Sequence, residues 1–142
     1  MRFAWVVSRY DSEIAKGLEA GARRFFDEKN IQIRAEDIIE APGAFEIPLL
    51  AQELARTGRY AGVVCLVCVI RGETAHFDYI CQAAASGILQ ASLATRTPIA
   101  FGILTVLERG QALARSRGDD FNKGREAALA CYESARILGK IT

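Results

Sequence analysis

A single histidine, His76, stands in the stretch VIRGETAHFDY (69–79), where an apolar run gives way to a Gly-containing turn and then to a helix-like segment. Backbone N–H groups left free in such a turn, at the positive end of a helix, make an anion site, and Thr74 adds a hydroxyl donor. An imidazole beside a bound phosphate can pass protons near neutral pH, which is general acid–base chemistry. An ordinary surface histidine at a helix start is the competing reading. In APGAFEIP (41–48), Glu46 follows a tight turn whose backbone donors, with one carboxylate, suit a polyol or sugar. The same residues also fit ordinary helix-start chemistry. In SRYDSE (8–13), Tyr10 offers a flat face for stacking a heteroaromatic ring, unless it is simply a partly buried tyrosine. Arg115 and Lys123 flank the loop SRGDDFN (116–122); either could meet a phosphate, and either could be a solvated surface charge.

The elements that must position these residues alternate in period. RFAWVVS (2–8) reads as a strand, followed by a helix from Ser12 to Lys29 with Ile14, Leu18, Gly21, Ala22, Phe25 and Phe26 on one face. IQIRAEDIIE (31–40) reads as a second, more polar strand and therefore an edge. A short helix follows near Pro48, a tolerated early helical position. GVVCLVCVI (62–70) is apolar without alternation, as expected for a parallel strand covered on both faces. A long helix with Ile80, Ala83, Ala84, Gly87, Ile88 and Ala91 aligned comes next, then the strand PIAFGILTV (98–106) and two further helices. The pattern βαβαβαβαα predicts an α/β fold: a four-stranded parallel sheet between two helical layers, a three-layer αβα arrangement. Ligands of such sheets bind outside the carboxyl ends of the strands, where SRYDS, APGAFE, RGETAH and LTVLE all fall.

A chain of 142 residues, 51% hydrophobic and 25% charged, fits one compact domain over 1–142. The formal charge of +1 gives no electrostatic reason to bind nucleic acid or an anionic membrane. No apolar run approaches the roughly 20 residues of a membrane span, and the first residues lack a cleavable-signal layout. The expected location is the cytoplasm. Cys65 and Cys68 have C-x-x-C spacing, but three residues apart on a strand they point to opposite faces. Cys81 and Cys131 fall on apolar helical stripes, so all four are expected to be small core residues in a reducing compartment. The first strand end has neither a Gly-rich dinucleotide fingerprint nor a Walker-type loop.

Taken jointly, PGAFEIP (42–48), VIRGETAHFDY (69–79), FGILT (101–105), QALAR (111–115) and NKGREAA (122–128) resemble the lumazine synthase family over nearly the whole chain. The resemblance implies a flavodoxin-like fold and no metal or other cofactor. It also implies condensation of 5-amino-6-(D-ribitylamino)uracil with 3,4-dihydroxy-2-butanone 4-phosphate, the penultimate step of riboflavin biosynthesis. By the same resemblance Tyr10 stacks on the pyrimidine, and Ala44, Phe45 and Glu46 hold the ribityl chain. Val69 and Ile70 present backbone groups to the pyrimidine edge, Thr74 and Ala75 belong to the phosphate turn, and His76 is the acid–base residue. Phe101, Arg115 and Lys123 match residues that the family supplies from a neighbouring subunit, with Arg115 on the phosphate. The implied partners are the two small substrates, further copies of the chain in a homopentamer or pentamer-based shell, and riboflavin synthase.

The chain departs from the family pattern at several positions. Asp11 follows the aromatic residue where asparagine is more common, Val67 stands where glycine is common, Val106 where a second threonine is common, and Gly110 where a glutamate is frequent. The chain opens directly on its first core strand, whereas many relatives carry an upstream segment that extends a neighbour's sheet. Three other readings compete: an archaeal-type riboflavin synthase, whose group usually lacks the GETAHFDY histidine stretch, a flavin- or lumazine-binding protein without chemistry, and a shell-forming container.

Overall fold

In the computed structural model, which describes residues 1–142, four strands pair in parallel in the order β2-β1-β3-β4. They are β1 (Phe3–Val7), β2 (Ile38–Glu40), β3 (Gly62–Ile70) and β4 (Ile99–Val106). The helices are α1 (Ser12–Glu28), α2 (Ile47–Arg56), α3 (His76–Thr95), α4 (Arg109–Ala114) and α5 (Lys123–Ile141). All five residues of β1 and the first six of β3 are buried, because each strand is covered on both faces. Alternation then sorts their side chains. Phe3, Trp5, Val7, Val64 and Leu66 meet Ala22, Phe25 and Phe26 of α1 and Ala127, Ala128 and Cys131 of α5. Val6, Val63, Cys65 and Val67 meet Ile47 and Ala51 of α2 and Ala84, Ile88 and Ala91 of α3. The predicted three-layer αβα architecture is therefore the observed one.

The edge position expected for the second strand is correct, but its expected length is not. Only Ile38–Glu40 joins the ladder, and Ala35–Asp37 instead form a 3-10 turn. The cause is Asp37, which is fully buried and accepts from Arg2 Nη2 (2.9 Å), the Tyr60 hydroxyl (2.9 Å) and the Arg34 N–H (3.4 Å). Burial raises the Asp37 pKa, but these donors outweigh it and leave the carboxyl below its ordinary value.

Cys65 and Cys68 do diverge, Cys65 into the α2–α3 layer and Cys68 toward α1 and α4. Cys131 is buried as expected, whereas Cys68 and Cys81 are only half-buried and not full core residues. For Cys81 the reason is that α3 carries little polar contrast between its faces, so an apolar sequence there does not define an inner side.

α1 and α5 pack unusually close. A Cβ on Gly124 would lie 2.0 Å from Leu18 O, and one on Gly21 would lie 2.0 Å from Asn122 Oδ1. Asn122 is the buried cap of α5. Its Oδ1 accepts from the Arg125 N–H at 3.0 Å, and its Nδ2 donates to Gly17 O (3.0 Å) and Arg117 O (2.7 Å). This side chain holds the loop between Arg115 and Lys123 against α1.

Candidate functional site

At the carboxyl ends of β1 and β3, a cleft of about 610 Å³ opens between the turn before α2 and the start of α3. Tyr10, Ala44, Phe45, Glu46, Val69, Ile70 and His76 all line it. Tyr10 is 93% exposed, which removes the partly buried alternative and leaves both ring faces free. Gly43 is extended, and Ala44–Glu46 form a 3-10 turn closed by the Glu46 N–H donating to Gly43 O at 3.3 Å. The Glu46 carboxylate makes no cap hydrogen bond at the start of α2 and no ion pair; it folds toward Gly43, where an added Cβ would meet Oε1 at 3.3 Å. It is a free acceptor in the cleft, not a cap.

His76 is the first residue of α3. Its N–H donates to Thr74 Oγ1 at 3.3 Å, which shapes the turn. The N–H groups of Thr74, Ala75 and Phe77 have no acceptor within the chain and face solvent at the positive helix end. An incoming anion would satisfy them. The cleft therefore offers a stacking ring, a carboxylate, an apolar strand end and an exposed imidazole. Thr74 and Ala75 are not in its lining and lie beside it, in the turn that leads into α3.

Phe101, Arg115 and Lys123 are brought together elsewhere. They line a second cleft of about 340 Å³ on the far side of β4, with Thr105 and Glu126. Arg115 is the C-cap that follows α4 and donates from Nη1 to Gln111 O at 3.0 Å, with no carboxylate partner. Lys123 Nζ pairs with Glu126 at 3.0 Å, and its N–H donates to Arg115 O at 2.8 Å. One chain thus presents the expected residues in two separate clefts.

Sequence reasoning missed some lining residues. Ser8 and Ile80 border the first cleft, as does Val67, which was noted only as a departure from the glycine common there. The parity of Val67 with Val69 on β3 was the available signal. Asp11, whose role was undefined, caps α1 by accepting from the Ile14 N–H at 3.4 Å and forms an ion pair with Arg109. Hydrogen bonding from Arg109 holds its carboxyl below the ordinary range. The neighbouring Cys68 thiol is pushed up to about 11 by burial and then by the Asp11 charge, with Arg109 opposing.

A four-stranded parallel sheet with helices on both faces defines an α/β protein of flavodoxin-like architecture, a fold whose members bind ligands outside the carboxyl ends of the strands. The sequence model of 6,7-dimethyl-8-ribityllumazine synthase matches residues 1–139, and the chain belongs to that family, the transferases that make this lumazine in riboflavin biosynthesis. It is 54% identical over 140 residues to the Caulobacter vibrioides protein named 6,7-dimethyl-8-ribityllumazine synthase 1, covering 99% of this chain and 92% of that one. It is 44% identical to the Salinibacter ruber 6,7-dimethyl-8-ribityllumazine synthase, covering 99% and 90% respectively. To the Arabidopsis thaliana protein, named as chloroplastic, it is also 44% identical, covering 97% of this chain and 61% of that one.

Proposed function

We propose that the chain condenses 5-amino-6-(D-ribitylamino)uracil with 3,4-dihydroxy-2-butanone 4-phosphate in a site made from the two clefts of neighbouring copies. The amine attacks the ketone and expels water to form an imine. Loss of phosphate follows, the ribitylamino nitrogen closes the ring, and a second water leaves. Tyr10 stacks on the pyrimidine, whose edge meets the backbone of Val69 and Ile70. Ala44, Phe45 and Glu46 hold the ribityl chain. Thr74 and Ala75 donate to the phosphate, Arg115 of the adjoining copy neutralises its charge as it departs, and Phe101 and Lys123 complete that wall. His76 carries protons between the reacting nitrogen and oxygen atoms.

The observation that carries this reading is the lone imidazole at the start of α3, beside unpartnered N–H groups and across the cleft from a free carboxylate. Holding both substrates together supplies much of the acceleration, because effective molarities reach about 10⁵–10⁸ M in favourable cases. Separation of Arg115 from His76 into different clefts of one chain favours a homo-oligomer, a pentamer or a shell built of pentamers. The implied partners are the two substrates and riboflavin synthase as consumer of the product. No helix is long and apolar enough to cross a membrane, and a cytoplasmic enzyme is the reading adopted.

The test is to incubate purified protein with both substrates and follow lumazine formation by absorbance and fluorescence against a protein-free control. A rate well above the control supports catalysis. A rate equal to the control, from folded and assembled protein, leaves a ligand-binding or shell-forming protein instead. Sedimentation on the same sample sizes the assembly.

A further inference from the structure

Arg109 is outside both clefts, yet it touches the parts that carry their functional residues. Its Nε donates to Asp11 Oδ2 at 2.8 Å and its Nη2 to Asp11 Oδ1 at 3.3 Å, a bidentate pair. The same Nη2 donates to Glu13 Oε1 at 2.6 Å. Asp11 directly follows Tyr10, whose ring is almost wholly exposed and has little packing of its own to fix it. Arg109 is the first residue of α4, and Arg115 is the C-cap that follows that helix. Six residues span only about 9 Å and make no stable helix alone. The place of α4 therefore depends on a few anchors: buried Ala112, the Gln111 side chain accepting from the Leu107 N–H at 2.8 Å, the Lys123 N–H on Arg115 O, and the Arg109 pair, the one charged link to α1.

Exposed ion pairs usually contribute little. This one differs in geometry and surroundings: it is bidentate, it has a second acceptor, and the Asp11 side chain is only 19% exposed. It also joins two loops that lie far apart in sequence, one beside each cleft.

We propose that Arg109 is a positioning residue for the reaction: its bidentate pair with Asp11 locks the Tyr10 turn to the helix that carries Arg115. The proposal rests on the assignment of Tyr10 to the pyrimidine. Arg9, on the other side of Tyr10, is held by a bidentate pair with Glu19 at 3.1 and 2.8 Å. The Arg109 pair therefore fixes the C-terminal side of the turn, and without it the ring samples orientations that do not cover the cleft. Asn at position 11 keeps the α1 cap, since Asn and Asp cap equally well, while removing the charge that Arg109 grips.

Anaerobic calorimetry with 5-amino-6-(D-ribitylamino)uracil on the intact assembly tests this in wild type, Arg109→Gln, Asp11→Asn and the double variant. Each single change is expected to weaken binding roughly 5- to 50-fold, within the range of coupling found for residues of one ion-pair network. The double variant is expected to be no weaker than the worse single, since both remove one interaction. Melting temperatures of the four proteins are measured alongside. A purely structural pair would lower the melting temperature and leave affinity unchanged, which overturns the proposal. Additive losses, or wild-type affinity in folded Arg109→Gln, also overturn it. So does a wild type that fails to bind this substrate. Turnover against the protein-free control is read separately, so a catalytically silent protein sinks the reaction assignment while the affinity ratios still decide the role of Arg109.

Discussion

Gly124→Ala should destabilise the protein although alanine is the better helix former. Within α5 the exchange favours the helix by less than about 1 kcal/mol on propensity alone, because Gly124 is in the first turn. Against that, the new Cβ would lie 2.0 Å from Leu18 O, 2.7 Å from Leu18 C and 2.9 Å from Leu18 Cα, all backbone atoms of α1. No rotamer change relieves such a clash, so the helices must separate by about 1 Å, and overpacking of this kind typically costs about 1–3 kcal/mol or more. The clash therefore wins, with a net loss of about 1–2 kcal/mol, or several degrees in melting temperature. Gly139 on the same helix is the matched control, because an added Cβ there meets nothing within 4 Å. Gly139→Ala should be neutral or stabilising by up to about 1 kcal/mol, less than in mid-helix because it sits in the last turn. Urea and thermal midpoints of the three proteins, all at one protein concentration since self-association would shift them, provide the comparison. The packing argument is refuted if Gly124→Ala is as stable as wild type, or if both alanines shift the midpoint equally.

Three other outcomes are expected. Asn122→Ala removes the α5 cap and leaves the Gly17 and Arg117 carbonyls without their side-chain donor, a loss of about 1–3 kcal/mol seen as a lower denaturation midpoint. Asp37→Asn should be less stable than wild type at neutral pH, and the gap should close in acid. The native carboxyl lies below its unfolded value, so its contribution is present above about pH 4 and disappears as pH falls through the lower native value. A gap that stays constant down to pH 2 would contradict that assignment. His76→Ala should slow turnover by about 10²–10⁴-fold without abolishing it, since substrate juxtaposition survives. Complete loss with binding and assembly intact would assign His76 a larger part than proton transfer.

Much of the architecture was legible because the physics involved is local. β1, β3 and β4 announce themselves as apolar runs between helix-period segments, and the order of elements with their covered faces implies a parallel sheet. The second strand was overextended because its polarity is consistent with an edge strand or a turn alike. Only the pairing of Asp37 with Arg2 and Tyr60, 35 and 23 residues away, decides where the ladder begins. Asp11 shows the same limit, since its role depends on Arg109, 98 positions later.

The sequence by itself determined the family, through motifs whose order and spacing carry the identity of the chain, and it named every residue proposed for the site. It also pointed to the strand ends as the place to look for a site, since parallel strands place their carboxyl termini on one edge. The family resemblance already set Phe101, Arg115 and Lys123 apart from the rest. The tertiary structure supplied the physical reason, since β4 lies at the sheet edge with α5 beside it and these three line a cleft of their own. Only the structure decided that Glu46 is free and Tyr10 is bare, and that Gly124 and Asn122 set the distance between α1 and α5. Those properties are distances between segments remote in sequence, and they come into being only when the helices pack on the sheet.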